Sequence, residues 1–158
     1  MTSGPTWELD QVRQEPGLAA AMRELAGLYA RLEEELRQLP SATGQSLYCL
    51  QGGCCCKFDL LDHRLYVSTL ELAFLLARGL PAPAKPLRCP FARQGACLAH
   101  QRRPLGCRTF FCRREGQGCH ELHERFHQAI RLLHQTHCLP YVYAELTAFI
   151  ASTCPKMI

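Results

Sequence analysis

Cys49-Leu50-Gln51-Gly52-Gly53-Cys54-Cys55-Cys56 sets four of the chain's eleven cysteines in one short stretch, and Cys89, Cys97, Cys107, Cys112 and Cys119 follow it. That density decides how the middle of the chain has to fold. Consecutive cysteines make poor disulfide partners, because neighbouring side chains diverge and each bridge needs a particular Cα separation. A secreted disulfide scaffold usually also has an even cysteine count and a signal segment. The chain opens Met1-Thr2-Ser3-Gly4-Pro5-Thr6-Trp7, without a basic start and apolar run. Zinc and iron–sulfur clusters instead recruit thiolates from short loop spacings and from distant returns of the chain. A thiolate metal centre is therefore the expectation, and the compartment expected is the cytoplasm.

The charge pattern points the same way. Between Lys85 and Arg114 lie eight of the eighteen basic residues (Lys85, Arg88, Arg93, Arg102, Arg103, Arg108, Arg113 and Arg114) and none of the fourteen acidic ones. Arginines beside thiolates lower thiol pKa values and offset the negative charge of a four-thiolate site. Clustered arginine also suits phosphate. Here the arginines fall among cysteines and prolines, without the interleaved aromatics of single-strand binders, so nucleic acid is not the expected partner.

At 158 residues and 47% hydrophobic, the chain can bury one core. The expected fold is mainly α, a small single domain of amphipathic helices around an irregular cysteine-rich, metal-binding segment. No apolar run approaches the roughly 20 residues that span a bilayer, so no membrane association is expected.

Leu18, Met22, Leu25, Leu28, Tyr29, Leu32, Leu36 and Leu39 recur at spacings of three and four, which predicts a helix over 16–39 that stops before Pro40. Residues 44–57 read as a loop. Ser68-Thr69-Leu70-Glu71 has the form of a capping box and predicts a helix from about Thr69 to Arg78, closed by Gly79 in a left-handed cap. Residues 80–118 look irregular and in need of a cross-link. Leu122, Phe126, Ala129, Ile130 and Leu133 predict a helix from Cys119 to His137, and a last helix is expected over Tyr141–Ser152, completing a C-terminal helical part over 119–152. His120, His123, His127 and His134 lie along one flank of the first of these. Glu124-Arg125-Phe126-His127 has the spacing used in di-iron bundles, but no second copy accompanies it, and solvated or core-edge histidines are the expected reading.

Cys49 to Cys56, then Cys89-Pro90-Phe91, Gly95-Ala96-Cys97 and Arg103-Pro104-Leu105-Gly106-Cys107-Arg108-Thr109-Phe110, resemble the YkgJ-type CxxCxxCC family of zinc- or iron-chelating proteins. The resemblance covers roughly residues 49–112, and a glutamate-containing helix follows the first cysteine block in that pattern. It implies Cys49, Cys55, Cys56, Cys89, Cys97 and Cys107 as metal ligands, with Arg103, Pro104 and Arg108 shaping and charge-balancing the site. Gly52 stands where the family has its second cysteine, so Cys54, Cys112, Cys119 or His100 would complete the set. A related cysteine pattern in flagellin lysine methylases accompanies an iron–sulfur cluster. The implied function is a cysteine-ligated metal-binding protein holding an iron–sulfur cluster or iron, in a redox, electron-transfer or accessory role with a protein partner. The alternative is a zinc-binding structural or interaction module. No catalytic residue is assigned.

Overall fold

The computed structural model describes residues 6–39, 56–58, 64–81, 88–109 and 117–153. Helix predominates. α1 spans Thr6–Gln14 and α2 Leu18–Gln38. β1, Tyr66–Ser68, runs directly into α3, Thr69–Leu75, which a 3-10 turn extends to Arg78. β2 (Ala92–Arg93) and β3 (Ala96–Cys97) form a short hairpin, and a 3-10 turn at His100–Arg102 precedes α4, Leu105–Thr109. α5 covers Gln117–Thr136, β4 Tyr143–Glu145 and α6 Leu146–Thr153.

The heptad-like stripe of α2 buries Leu25, Leu28, Tyr29, Leu32 and Leu36 against Leu122, Phe126 and Ile130 of α5. Each such leucine contributes roughly 1.5–3 kcal/mol of burial energy. Two side-chain contacts mark how the helices run: His137 Nε2 lies 3.1 Å from Glu24 Oε1 near one end, and Arg125 meets Glu35 near the other. Residue numbers rise along α2 as they fall along α5, so the helices are antiparallel.

A second apolar cluster joins Leu9 and Val12 of α1, Val67 of β1 and Phe149 of α6 to Cys89, Phe91 and Ala99. α3 belongs to both clusters. Leu70 packs on the α2–α5 side and Leu72, Ala73 and Leu75 on the other. Its start is the capping box expected from sequence: Glu71 N donates to Ser68 Oγ at 3.3 Å, and Ser68 N donates to Glu71 Oε2 at 2.8 Å.

Several expectations are corrected. α1 lies ahead of the expected first helix, and Leu9 and Val12, buried among its described side chains, carry too short a pattern to announce it. The last helix was expected from Tyr141, yet residues 143–145 form β4, paired antiparallel with β1 through Tyr66↔Glu145, Val67↔Ala144 and Ser68↔Tyr143. Tyr141-Val142-Tyr143 suits a half-buried pleated surface better than a first helical turn. Thr69 N donating to Val142 O at 3.0 Å and Leu146 N to Leu65 O at 2.7 Å extend that seam on both sides. Gly79 has the positive φ expected, but at φ 86°, ψ 171° its backbone is extended instead of left-handed helical. Within the stretch expected to be irregular, Gln94 (φ 46°) and Gly95 (φ 80°) make the two-residue turn of the β2–β3 hairpin. Two successive positive φ values are the requirement of a type I′ turn.

α5 ends without a glycine. Leu139 N donates to His134 O at 2.8 Å and Cys138 N to Gln135 O at 3.2 Å, the pair of bonds that defines a Schellman motif. Cys138 occupies its left-handed position at φ 52°, where an L side chain is strained. Replacing Cys138 by Gly is expected to raise the unfolding free energy by about 0.5–1 kcal/mol, measured by urea denaturation. A loss of stability would contradict the assignment.

Candidate metal centre

Four of the six expected thiols are described, Cys56, Cys89, Cys97 and Cys107. Cys49 and Cys55, and the alternates Cys54 and Cys112, lie outside the described residues, as does most of the 44–57 loop. The backbone ties the first cysteine block to the second: Cys89 N donates to Cys56 O at 3.1 Å. Cys89 O in turn accepts from Ala92 N at 3.1 Å, and Ala92 faces Cys97 across the hairpin. Cys107 enters on α4. Cys89 is buried, and the half-buried Cys56, Cys97 and Cys107 pack against the same apolar cluster. Segments far apart in sequence thus bring four thiols to one core. Among the described residues, however, no three Cys, His, Asp or Glu side chains stand together in a way that could hold a metal ion.

The approach of α4 to this core is fixed by one buried carboxylate. Glu71, 3% exposed, accepts from Ser68 N through Oε2, and its Oε1 accepts from Tyr29 OH and from Leu105 N, each at 2.9 Å. The bond to Leu105 N satisfies an orphan amide of the first turn of α4. Burial, with Glu71 alongside, pushes the Tyr29 phenol well above its ordinary range, so it remains a donor. Gly106, next in α4, lies where an added Cβ would meet Leu65 Cδ1 at 2.6 Å. The glycine of the Arg-Pro-Leu-Gly-Cys-Arg motif permits that close approach.

Both arginines of the motif are buried, Arg103 at 8% and Arg108 at 5% exposure. Arg103 Nε donates to His100 O at 2.9 Å and its Nη1 to Cys107 O at 3.4 Å. Arg108 donates to Arg103 O (2.8 Å), Gln101 O (2.8 Å) and Glu33 Oε1 (2.7 Å), and its guanidinium lies 4.0 Å over the Tyr29 ring. Burial draws the Arg108 pKa down, with Tyr29 and Glu33 opposing. The two arginines thus form a clamp on the backbone around Cys107, and Glu33 on α2 is a carboxylate that meets both cations.

His100, an alternate ligand from sequence, lines a cavity of about 340 Å³ beside Arg103, Arg108 and Glu33. Its Nε2 is buried without a hydrogen-bond partner among the described residues, and burial followed by Arg103 lowers its pKa. Cys119, the other described alternate, shares a cleft of about 400 Å³ with Cys107. Of the flank histidines, His127 bonds the Tyr141 hydroxyl at 2.9 Å at the edge of the core, as expected. His134 departs from that expectation. It is 2% exposed, with Nδ1–H donating to Pro140 O at 3.0 Å and Nε2 unpartnered among the described residues, and desolvation lowers its pKa.

The Cys107–Cys119 cleft was not legible in sequence. Tyr66 and Tyr143 meet there only because β1 pairs with β4, with ring centroids 5.7 Å apart. No spacing announces that pairing. Compared with known proteins, the chain matches no family model, no curated protein and no solved structure.

Two substitutions test the clamp. Glu71→Gln puts an amide donor where a carboxylate accepts, and Arg108→Lys removes the fork that spans two carbonyls and Glu33. Each is expected to lower unfolding stability by about 2 kcal/mol. Chemical denaturation measures this, and an effect near zero for both would show that these bonds do not hold α4 in place.

Proposed function

We propose that this chain is a cysteine-ligated metal-binding protein of the YkgJ type, holding an iron–sulfur cluster or iron in a redox, electron-transfer or accessory role. The observation that carries the reading is the convergence of Cys56, Cys89, Cys97 and Cys107 on one apolar cluster from three separated segments. The donor chemistry fits. Thiolates are the usual ligands of iron–sulfur clusters and of structural zinc, and a partly buried, apolar surround raises the influence of nearby charge. Cys49 and Cys55, from the first cysteine block, would supply the remaining ligands.

In this reading Arg103 and Arg108 act on the centre through shape. Their guanidiniums are engaged by Glu33, backbone carbonyls and the Tyr29 ring, so two of the eight cations in the basic segment are not displayed to a phosphate backbone. This weighs against a nucleic-acid partner for these two residues. No described helix is long and apolar enough to cross a membrane, and a cytoplasmic setting, where thiols stay reduced, suits the proposed ligands.

The test is elemental analysis and visible absorption of anaerobically purified protein, with Cys89→Ser, Cys107→Ser and His127→Ala alongside. Iron with inorganic sulfide and a broad band is expected, with metal content falling to less than half in both cysteine variants and unchanged in His127→Ala. Colourless protein with stoichiometric zinc would replace the redox role by a structural one. Full metal retention in both cysteine variants would overturn the ligand assignment.

A further inference from the structure

The cleft beside Cys107 has the build of a small-molecule site in its own right. Its volume of about 400 Å³ lies in the range of ligand pockets, roughly 300–1,000 Å³. Part of the lining is aromatic and aliphatic. Tyr66 and Tyr143, inclined at 33° and 42% and 38% exposed, stand beside Phe58 and Leu65. Exposed tyrosines in such a stack offer aromatic area with little rotamer entropy to lose.

The lining also carries His123, which Thr109 holds by a hydrogen bond. Thr109 Oγ1 lies 3.0 Å from Leu105 O and 2.9 Å from His123 Nδ1. With the hydroxyl proton on Leu105 O, as the Thr109 Oγ1–Leu105 O bond has it, His123 Nδ1 is the donor to Thr109 Oγ1 and Nε2 keeps its lone pair, an acceptor for a ligand N–H or O–H. Burial first, then His127, lowers the His123 pKa and keeps the ring neutral. Burial also pushes the Tyr143 phenol up to about 12, so that part of the lining stays uncharged.

Among the described lining residues the permanent charge is that of an arginine. Arg64 lines it, its side chain 69% exposed and its carboxylate contact, to Glu145, a long 3.9 Å. No described acidic residue lines the cleft.

We propose that this cleft binds a planar aromatic acid bearing a hydroxyl or N–H donor. The ring lies against Tyr66 and Tyr143, the donor hydrogen-bonds His123 Nε2, and the carboxylate pairs with Arg64. Cys107 and Cys119 form part of the lining, so the ligand sits beside the proposed thiolate centre. The binding claim does not rest on that centre.

The test titrates full-length protein with 4-hydroxybenzoate and with benzoate, followed by NMR shifts of the Tyr143 ring and the His123 imidazole. On the unaltered protein 4-hydroxybenzoate is expected to bind about tenfold more tightly than benzoate, the scale of one hydrogen bond. That advantage vanishes in His123→Phe, while Arg64→Met weakens both acids by about tenfold. Nitrogen-15 shifts of the free protein give a check that needs no variant: His123 should carry its proton on Nδ1. The proposal is overturned if neither acid binds at millimolar concentration, if the hydroxyl advantage survives in folded His123→Phe, or if the proton is on Nε2. Metal content of the same preparations separates a failure here from a failure of the metal assignment.

Discussion

A single buried carboxylate organises this fold. Glu71 accepts from the backbone amide that opens α3, from the phenol of Tyr29 on α2 and from the amide that opens α4. One side chain thereby locks the relative positions of three elements. A buried carboxylate is costly unless its oxygens are satisfied, and three donors at 2.8–2.9 Å meet that need. From Tyr29 the network continues as a cation–π contact to Arg108 and an ion pair to Glu33. Polar networks of this kind are specific because a misplaced member leaves buried groups unpaired. The position of Cys107, one residue from Arg108, depends on it.

This arrangement gives the short basic motif a structural meaning. Arg103 and Arg108 flank Cys107 and bind carbonyls of its own segment, and Gly106 allows α4 to lie against Leu65. The thiol is thus carried on a clamped turn, while Cys97 is carried on the β2–β3 hairpin and Cys89, just ahead of that hairpin, is bonded through its backbone to Cys56. Rigid presentation of several thiols from loops is what a metal site asks of a small fold. The same α4 turn supplies Thr109, which orients His123 toward the neighbouring cleft. One device therefore serves both proposed sites.

The long helices were legible because their apolar residues recur at the helical period over several turns, as with Leu25, Leu28, Tyr29, Leu32 and Leu36 on α2. The start of α3 was legible because a capping box is local chemistry. Glu71 was readable only in that local role. Its bonds to Tyr29 and Leu105 join positions with no sequence relation. β4 was read as helix because its pairing partner, β1, lies far upstream, and a three-residue strand carries little period of its own. The Schellman end of α5 escaped notice because Cys138 stands where glycine is the usual signal. The burial of His134 follows from the same turn, which brings the Pro140 carbonyl back to its ring. Of the candidate ligands, composition identified the residue type, while the convergence of Cys56, Cys89, Cys97 and Cys107 needed the fold.

The central claim is that the clustered cysteines are ligands of one metal centre. X-ray absorption at the metal edge of anaerobically purified protein tests it most directly, because the first scattering shell reports ligand identity. The account predicts a shell of sulfur at about 2.3 Å. A shell of nitrogen and oxygen alone, at about 2.0–2.2 Å, would contradict it.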